Sequence, residues 1–213
     1  MIQNIVFDMG NVLLRYDADY IVSQFAVDPA DRAALLSAIF HAPEWALMDA
    51  GELGEADMLR LIPKRLPPRL AETGIAAYQN WHLHNQPIPE AEALVKQLKA
   101  AGYRLYLLSN AAPRFQAYWR DYPALTALDG HVVSAFVHAV KPEPAIFRIL
   151  FDTYGLKPEE CFFVDDMAAN VAAGKALGMD GFVLDGFQYD GLRKALGERG
   201  VRLSSKHMGH DGI

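Results

Sequence analysis

Five short, nearly unbroken apolar runs limit what this chain of 213 residues can fold into: Ile2–Phe7, Tyr103–Leu108, Val132–Val137, Cys161–Val164 and Gly181–Leu184. Each has the length of a strand, and Val, Ile, Phe and Tyr recur in them. A run without polar alternation suits a strand covered on both faces, as in a parallel sheet. Helical patterns separate the runs. Pro89–Ala101 sets Ala91, Leu94, Val95 and Leu98 on one face and closes at Gly102, a natural residue just past a helix end. Pro144–Tyr154 repeats the pattern before Gly155, and Ala168–Leu177 does so before Gly178. Strand and helix in alternation predict an α/β fold built on a doubly wound parallel sheet.

The stretch from about Arg15 to Gln86 breaks that alternation. It shows no strand pattern, and helical periodicity recurs over Tyr20–Val27, Arg32–Ile39, Glu55–Leu66 and Ala76–His84. An insertion of this kind after the first strand predicts a small α-helical cap over the C-terminal edge of the sheet. The expected division is a core of residues 1–14 and 87–204, a cap of 15–86 and a polar C-terminal tail of 205–213. The net charge of −6 disfavours nucleic acid or an anionic membrane as a partner. A small anionic substrate remains compatible, because charge at a site can oppose the net charge. Cys161 is the single cysteine, which excludes an intrachain disulfide and fits a reducing compartment. Met1-Ile2-Gln3-Asn4 has no leader character, and no run reaches the roughly 18 apolar residues of a membrane span. The expected location is the cytoplasm.

In open α/β sheets ligands bind outside the carboxyl ends of the strands, so the residues at those ends matter most. The first run ends in Asp8-Met9-Gly10-Asn11 and the second in Ser109-Asn110. The third is followed by Ala139-Val140-Lys141-Pro142, and the fourth by Asp165-Asp166. Taken singly these are ordinary: an Asp after a strand commonly caps a helix, Ser-Asn is a turn, and a lone Lys is usually solvated. Adjacent carboxylates after an apolar strand are less ordinary, since they repel each other unless a cation sits beside them. Together the four ends supply what phosphoryl transfer uses. A carboxylate can attack phosphorus to form an acyl phosphate, and neighbouring carboxylates can hold Mg²⁺, which offsets repulsion between two anions. A lysine and a hydroxyl can stabilise the phosphoryl oxygens.

The ordered motifs FDMGNVLL, LLSNA, VKPEPAIF and FFVDDMAANVAAG resemble those of the haloacid dehalogenase-like hydrolase superfamily over essentially the whole chain. The helical insertion resembles the cap of its largest subclass, and FDMGNVLL is most similar to the bacterial glucose-1-phosphate phosphatase branch. The resemblance implies a Rossmann-like core and a Mg²⁺-dependent phosphomonoesterase acting on a small phosphorylated metabolite, such as a sugar phosphate. It implies Asp8 as nucleophile and metal ligand, and Ser109, Asn110 and Lys141 as the phosphate-binding set, with Lys141 also bridging nucleophile and phosphoryl group. Asp166 is implied as a direct Mg²⁺ ligand, with Asp165 beside it and the Gly10 carbonyl completing the site. One position departs from the family. Most of its phosphatases carry a second aspartate two residues after the nucleophile as general acid/base, where this chain has Gly10. Such help is typically worth about 10²–10⁴-fold, so the proton must come from Asp17, Asp19 or a cap residue, or be dispensable.

Two alternatives stand beside this. A 2-haloacid dehalogenase uses the same aspartate without metal, which suits Gly10 but not Asp165-Asp166. A catalytically impaired binding protein of the same fold is the other. Within the cap, His41, Trp45 and Asp49 are candidate substrate contacts. Trp45, Trp81 and Trp119 are expected as packing residues. His82 and His84 point apart at helical spacing and are not expected to hold a metal. Asn170, four residues after Asp166, is expected to steady it or cap the turn. Cys161 is expected to be buried and unreactive.

Overall fold

In the computed structural model, which describes residues 1–203, every one of the five apolar runs contributes a strand to a single sheet. Seven strands are labelled in chain order: β1 Asn4–Phe7, β2 Leu14–Arg15, β3 Gln86–Pro87, β4 Arg104–Ser109, β5 Gly130–Val133, β6 Cys161–Asp165 and β7 Asp180–Val183. The main sheet has the order β5-β4-β1-β6-β7 with every neighbour parallel. From β1 the chain builds outward on one side through β4 and β5, then crosses to the other side for β6 and β7. The order therefore switches at β1, and the carboxyl ends of β4, β1 and β6 border one crevice.

Both faces of the central strands are covered, which explains their unbroken apolar character. Ile5, Phe7, Leu105, Leu107, Phe162 and Val164 belong to one buried cluster. Their alternating neighbours Val6, Tyr106, Leu108 and Phe163 belong to the other, with Ile146, Phe147 and Leu150 of helix Pro144–Tyr154. That helix ends where expected, at Gly155 with φ +61°, a left-handed conformation that costs glycine little. Among the described residues no helix is long and apolar enough to cross a membrane. The expected tail at 205–213 lies outside the described residues.

The third apolar run departs from expectation. Only Gly130–Val133 is strand, and Ser134–Val137 turns into a short helix. The strand starts earlier, at Gly130, which pairs with Tyr106; Gly130 leaves no room for a Cβ beside the Tyr154 ring, whose hydroxyl accepts from His131 N–H at 2.8 Å.

Between β2 and β3 the chain is helical throughout its regular structure: Ala18–Ser23, Pro29–Leu35 running into a π turn at Leu36–Phe40, Pro43–Asp49, Glu55–Arg65 and Ala71–Asn80, then a 3₁₀ turn at Trp81–His84. Helix Pro43–Asp49 lies outside the four stretches of helical periodicity, because a Pro in sequence marks a helix break as readily as a start. Pro43 opens the helix instead, at a position where no backbone N–H is needed. The two ends of the segment are tied by a short antiparallel pairing, Leu14 with Pro87 and Arg15 with Gln86. Ile21, Leu35, Ile39, Met58, Ile62 and Tyr78 of this segment join the same buried cluster as Ile5 and Phe7.

Candidate active site

Asp8 follows β1 directly, and its N–H donates to the Val164 carbonyl at 2.8 Å, which extends the β1–β6 ladder by one rung. Its carboxylate Oδ1 lies 2.8 Å from Lys141 Nζ, and Asp165 Oδ2 lies 2.6 Å from the same nitrogen. All three are buried: Asp8 is 9% exposed, Lys141 5% and Asp165 0%. Burial works against the Lys141 ammonium, but the two anions beside it outweigh that and raise its pKa. Burial raises the Asp8 carboxyl, with Lys141 opposing and Asp165 adding to the rise. Two carboxylates thus share one ammonium, which compensates neither fully.

Lys141 is held by its main chain as well. Its N–H donates to Asn110 Oδ1 at 2.8 Å, and Asn110 Nδ2 donates to its carbonyl at 2.9 Å. The Asn110 amide is a two-point clamp that ties the segment carrying Lys141 to the turn after β4. Asp165 accepts from Met167 N–H at 2.8 Å and from Asn170 Nδ2 at 3.0 and 3.1 Å, besides Lys141. Asn170 therefore steadies Asp165 and not Asp166, because Asp165 points back under the helix Ala168–Ala176 while Asp166 points outward. Asp166 accepts from Asn11 Nδ2 at 3.5 Å. Its carboxyl is raised by burial and by the charge of Asp165. Asn11, which the sequence reasoning did not single out, sits at φ +55° and also accepts from Tyr16 N–H at 3.2 Å. An Asn after Gly in a post-strand turn is the signal that could have found it.

One oxygen from each of Asp8, Asp165 and Asp166 falls within 4.8 Å of the other two. Among the described residues this is the one group of at least three His, Cys, Asp or Glu side chains placed to hold a metal ion. His82 and His84 are accordingly elsewhere: His82 stacks on Tyr118 and His84 packs edge-on against Phe25.

Above Asp8 is a cavity of about 170 Å³. Asp8, Gly10, Ser109 and Asn110 line its sheet side; Tyr16, Trp45, Trp81 and Tyr118 wall it, with Asp49 among them. Trp45 and Trp81 are thus cavity residues as well as packing residues, with ring centroids 5.4 Å apart. Trp119 only packs, parallel to Phe115. His41 does not reach the cavity; it is exposed and borders a surface depression with Pro43 and Arg65. Asp166 faces a second cavity of about 480 Å³ with Asn11 and Asp17. Asp17 caps helix Ala18–Ser23 by accepting from Tyr20 N–H at 2.9 Å, and Asp19 is exposed. Asp49 is pushed up to about 7 by burial and by the charge of Asp8, against a backbone N–H from Ala112. Cys161 is buried and its thiol is pushed up to about 11, chiefly by that burial.

Comparison with known proteins gives a consistent picture. A family model described as haloacid dehalogenase-like hydrolase matches residues 2–178. The D-ribitol-5-phosphate phosphatase of Bacteroides thetaiotaomicron is 27% identical, over 85% of this chain and 91% of that one. Drimenol cyclase drtB of Aspergillus calidoustus is 27% identical over 84% of this chain, which spans only 33% of that longer protein. In fold, the chain is similar to a family enzyme of Bacteroides thetaiotaomicron solved with magnesium and inorganic phosphate, at TM-score 0.67, 20% identity and coverage of 86% of this chain and 94% of that one.

Proposed function

This chain belongs to the haloacid dehalogenase-like hydrolase family, and from that premise we propose that it is a Mg²⁺-dependent phosphomonoesterase working through an aspartyl phosphate on Asp8. The observation that carries the proposal is the carboxylate cluster of Asp8, Asp165 and Asp166 with a single ammonium inside it. Hard oxygen donors in excess over buried cations fit a hard divalent ion. Asp8, Asp166 and the Gly10 carbonyl would hold Mg²⁺, which supplies positive charge against an anionic substrate. Asp165 contributes charge and orientation, since both its oxygens already accept hydrogen bonds.

In the proposed reaction Asp8 attacks phosphorus and the ester oxygen leaves; water then hydrolyses the acyl phosphate and returns Asp8. Lys141 keeps the Asp8 carboxylate aimed and neutralises phosphoryl oxygens, the Ser109 hydroxyl donates to one of them, and Asn110 fixes Lys141 in place. Residues 15–86 act as the cap, with Tyr16, Trp45 and Trp81 shaping the site for the leaving group. Aromatic walls suit a substrate with flat apolar faces, and a sugar phosphate offers its C–H faces to such rings. The phosphatase relative supports that class.

Release of inorganic phosphate from p-nitrophenyl phosphate and from a panel of sugar phosphates tests the proposal. Release is expected with Mg²⁺, loss with EDTA, and a fall of roughly 10⁴-fold or more in Asp8→Asn. Chloride release from 2-chloropropionate in EDTA, with no phosphate released from any ester, would overturn it in favour of a dehalogenase.

A further inference from the structure

Position 10 leaves the proton unprovided for, and the space beside it is open: a Cβ on Gly10 would meet nothing within 4 Å. We infer that Asp49, brought into the cavity at the end of helix Pro43–Asp49, is the group that protonates the leaving oxygen and later deprotonates the attacking water. The inference rests on the phosphatase proposal above.

Two observations converge on this residue. Besides Asp8, Asp49 is the carboxylate that lines the cavity, and it comes from the wall facing the sheet. The other acids considered are engaged or outside: Asp17 caps a helix and pairs with Arg15, and Asp19 is exposed. Tyr16 and Tyr118 also line the cavity, but burial raises both phenols further from any neutral-pH exchange.

The second observation is anchoring. The buried Ser134 hydroxyl donates to the Asp49 carbonyl and accepts from Ala111 N–H at 3.0 Å. Ala111 directly follows the Ser109-Asn110 turn. One hydroxyl therefore fixes the end of this helix against the turn proposed to bind phosphate. Gly51, two residues on, adopts φ +72°, and a Cβ there would collide with the Ala135 carbonyl and the His138 ring. The chain leaving Asp49 is thus pressed onto the core, so the Asp49 main chain is held at a fixed place on the wall of the cavity that Asp8 also lines.

The step balances. As the Asp8 oxygen bonds to phosphorus, the phosphorus–ester oxygen bond breaks with its electron pair on the departing oxygen. That oxygen takes the Asp49 proton and leaves as an alcohol. Water then bonds to phosphorus, the Asp8–phosphorus bond breaks with its pair on Asp8, and the water's proton returns to the Asp49 carboxylate.

Asp49→Asn keeps the main-chain anchor and removes the proton. It is compared with the unaltered chain on p-nitrophenyl phosphate, whose phenolate leaves without a proton, and on an alkyl phosphate such as glycerol phosphate. The pre-steady-state burst of nitrophenolate is expected to stay within about threefold, while alkyl phosphate cleavage and nitrophenyl steady-state turnover fall roughly 10²–10⁴-fold. Unchanged alkyl phosphate cleavage, or equal losses in the burst and in alkyl cleavage, would overturn the inference. Asp49→Ser supplies the same comparison should the amide variant not fold. An unaltered chain that releases no phosphate from either ester defeats the phosphatase proposal instead, so the two failures are distinguishable.

Discussion

The two sides of the cavity are built by different physics. On the sheet side, charges are tied by directional contacts: Lys141 by Asp8, Asp165 and both ends of the Asn110 amide, and Asp165 by Lys141, Met167 and Asn170. On the helical side, rings lean on rings. Tyr16 meets Phe40, Trp45 and Trp81 at centroid distances of 6.4, 6.5 and 5.9 Å, and Trp81 meets Tyr118 at 5.8 Å. Hydrogen-bonded charges in a buried setting have one good arrangement. Stacked and edge-on rings have several of similar energy. The sheet side is therefore suited to chemistry that needs fixed atoms, and the ring wall to choosing what is brought to it. Asp49 is the exception: a chemical group on the helical side, made dependable by its anchor to Ser134.

The contrast predicts unequal costs. The largest effect on stability should follow Lys141→Met, which leaves Asp8 and Asp165 buried together without their shared cation. Breaking a buried pair in this way costs about 3–5 kcal/mol, and at this chain length each kcal/mol moves Tm by about 2–4 °C. Calorimetry in the absence of divalent ions should show the drop; an unchanged Tm would mean the cluster is not a structural unit. A smaller effect should follow Trp45→Ala, which removes one half-buried ring from the wall. A ring contact of about 1 kcal/mol corresponds to a KM increase of roughly five- to tenfold, with kcat nearly unchanged. Steady-state kinetics would break the contrast if kcat fell and KM did not.

The sheet side was also the more legible in sequence. Unbroken apolar runs mark the central strands, and a sheet's geometry carries whatever follows such strands to one edge, so position alone predicts that Asp8, Ser109, Asn110, Lys141, Asp165 and Asp166 meet there, and the structure brings them together. What failed there was direction. Asp165 and Asp166 are neighbours in sequence, yet they have different partners: Asn170 serves the first and Asn11 the second. The run Val132–Val137 misled because apolarity does not tell a strand from the short helix Ser134–Val137 that continues it. On the helical side, Pro43 is as consistent with a helix start as with a break, and only the fold decided. The Trp pattern likewise does not say which ring meets the cavity: Trp45 and Trp81 do, and Trp119 does not. Asp49 belonged to a set of three cap candidates, of which His41 proved to face elsewhere.

The central claim is that Asp8 carries the phosphoryl group. Acid quenching during turnover of p-nitrophenyl phosphate with Mg²⁺, followed by borohydride reduction and peptide mass spectrometry, tests it directly, since an acyl phosphate is reduced to an alcohol and a free carboxylate is not. The account predicts homoserine at position 8 and unmodified carboxylates at 165 and 166. Unreduced Asp8 in a sample that was releasing phosphate and was quenched with its phosphoenzyme accumulated, as judged by retained radiolabelled phosphate, would contradict it, as would reduction at either other aspartate.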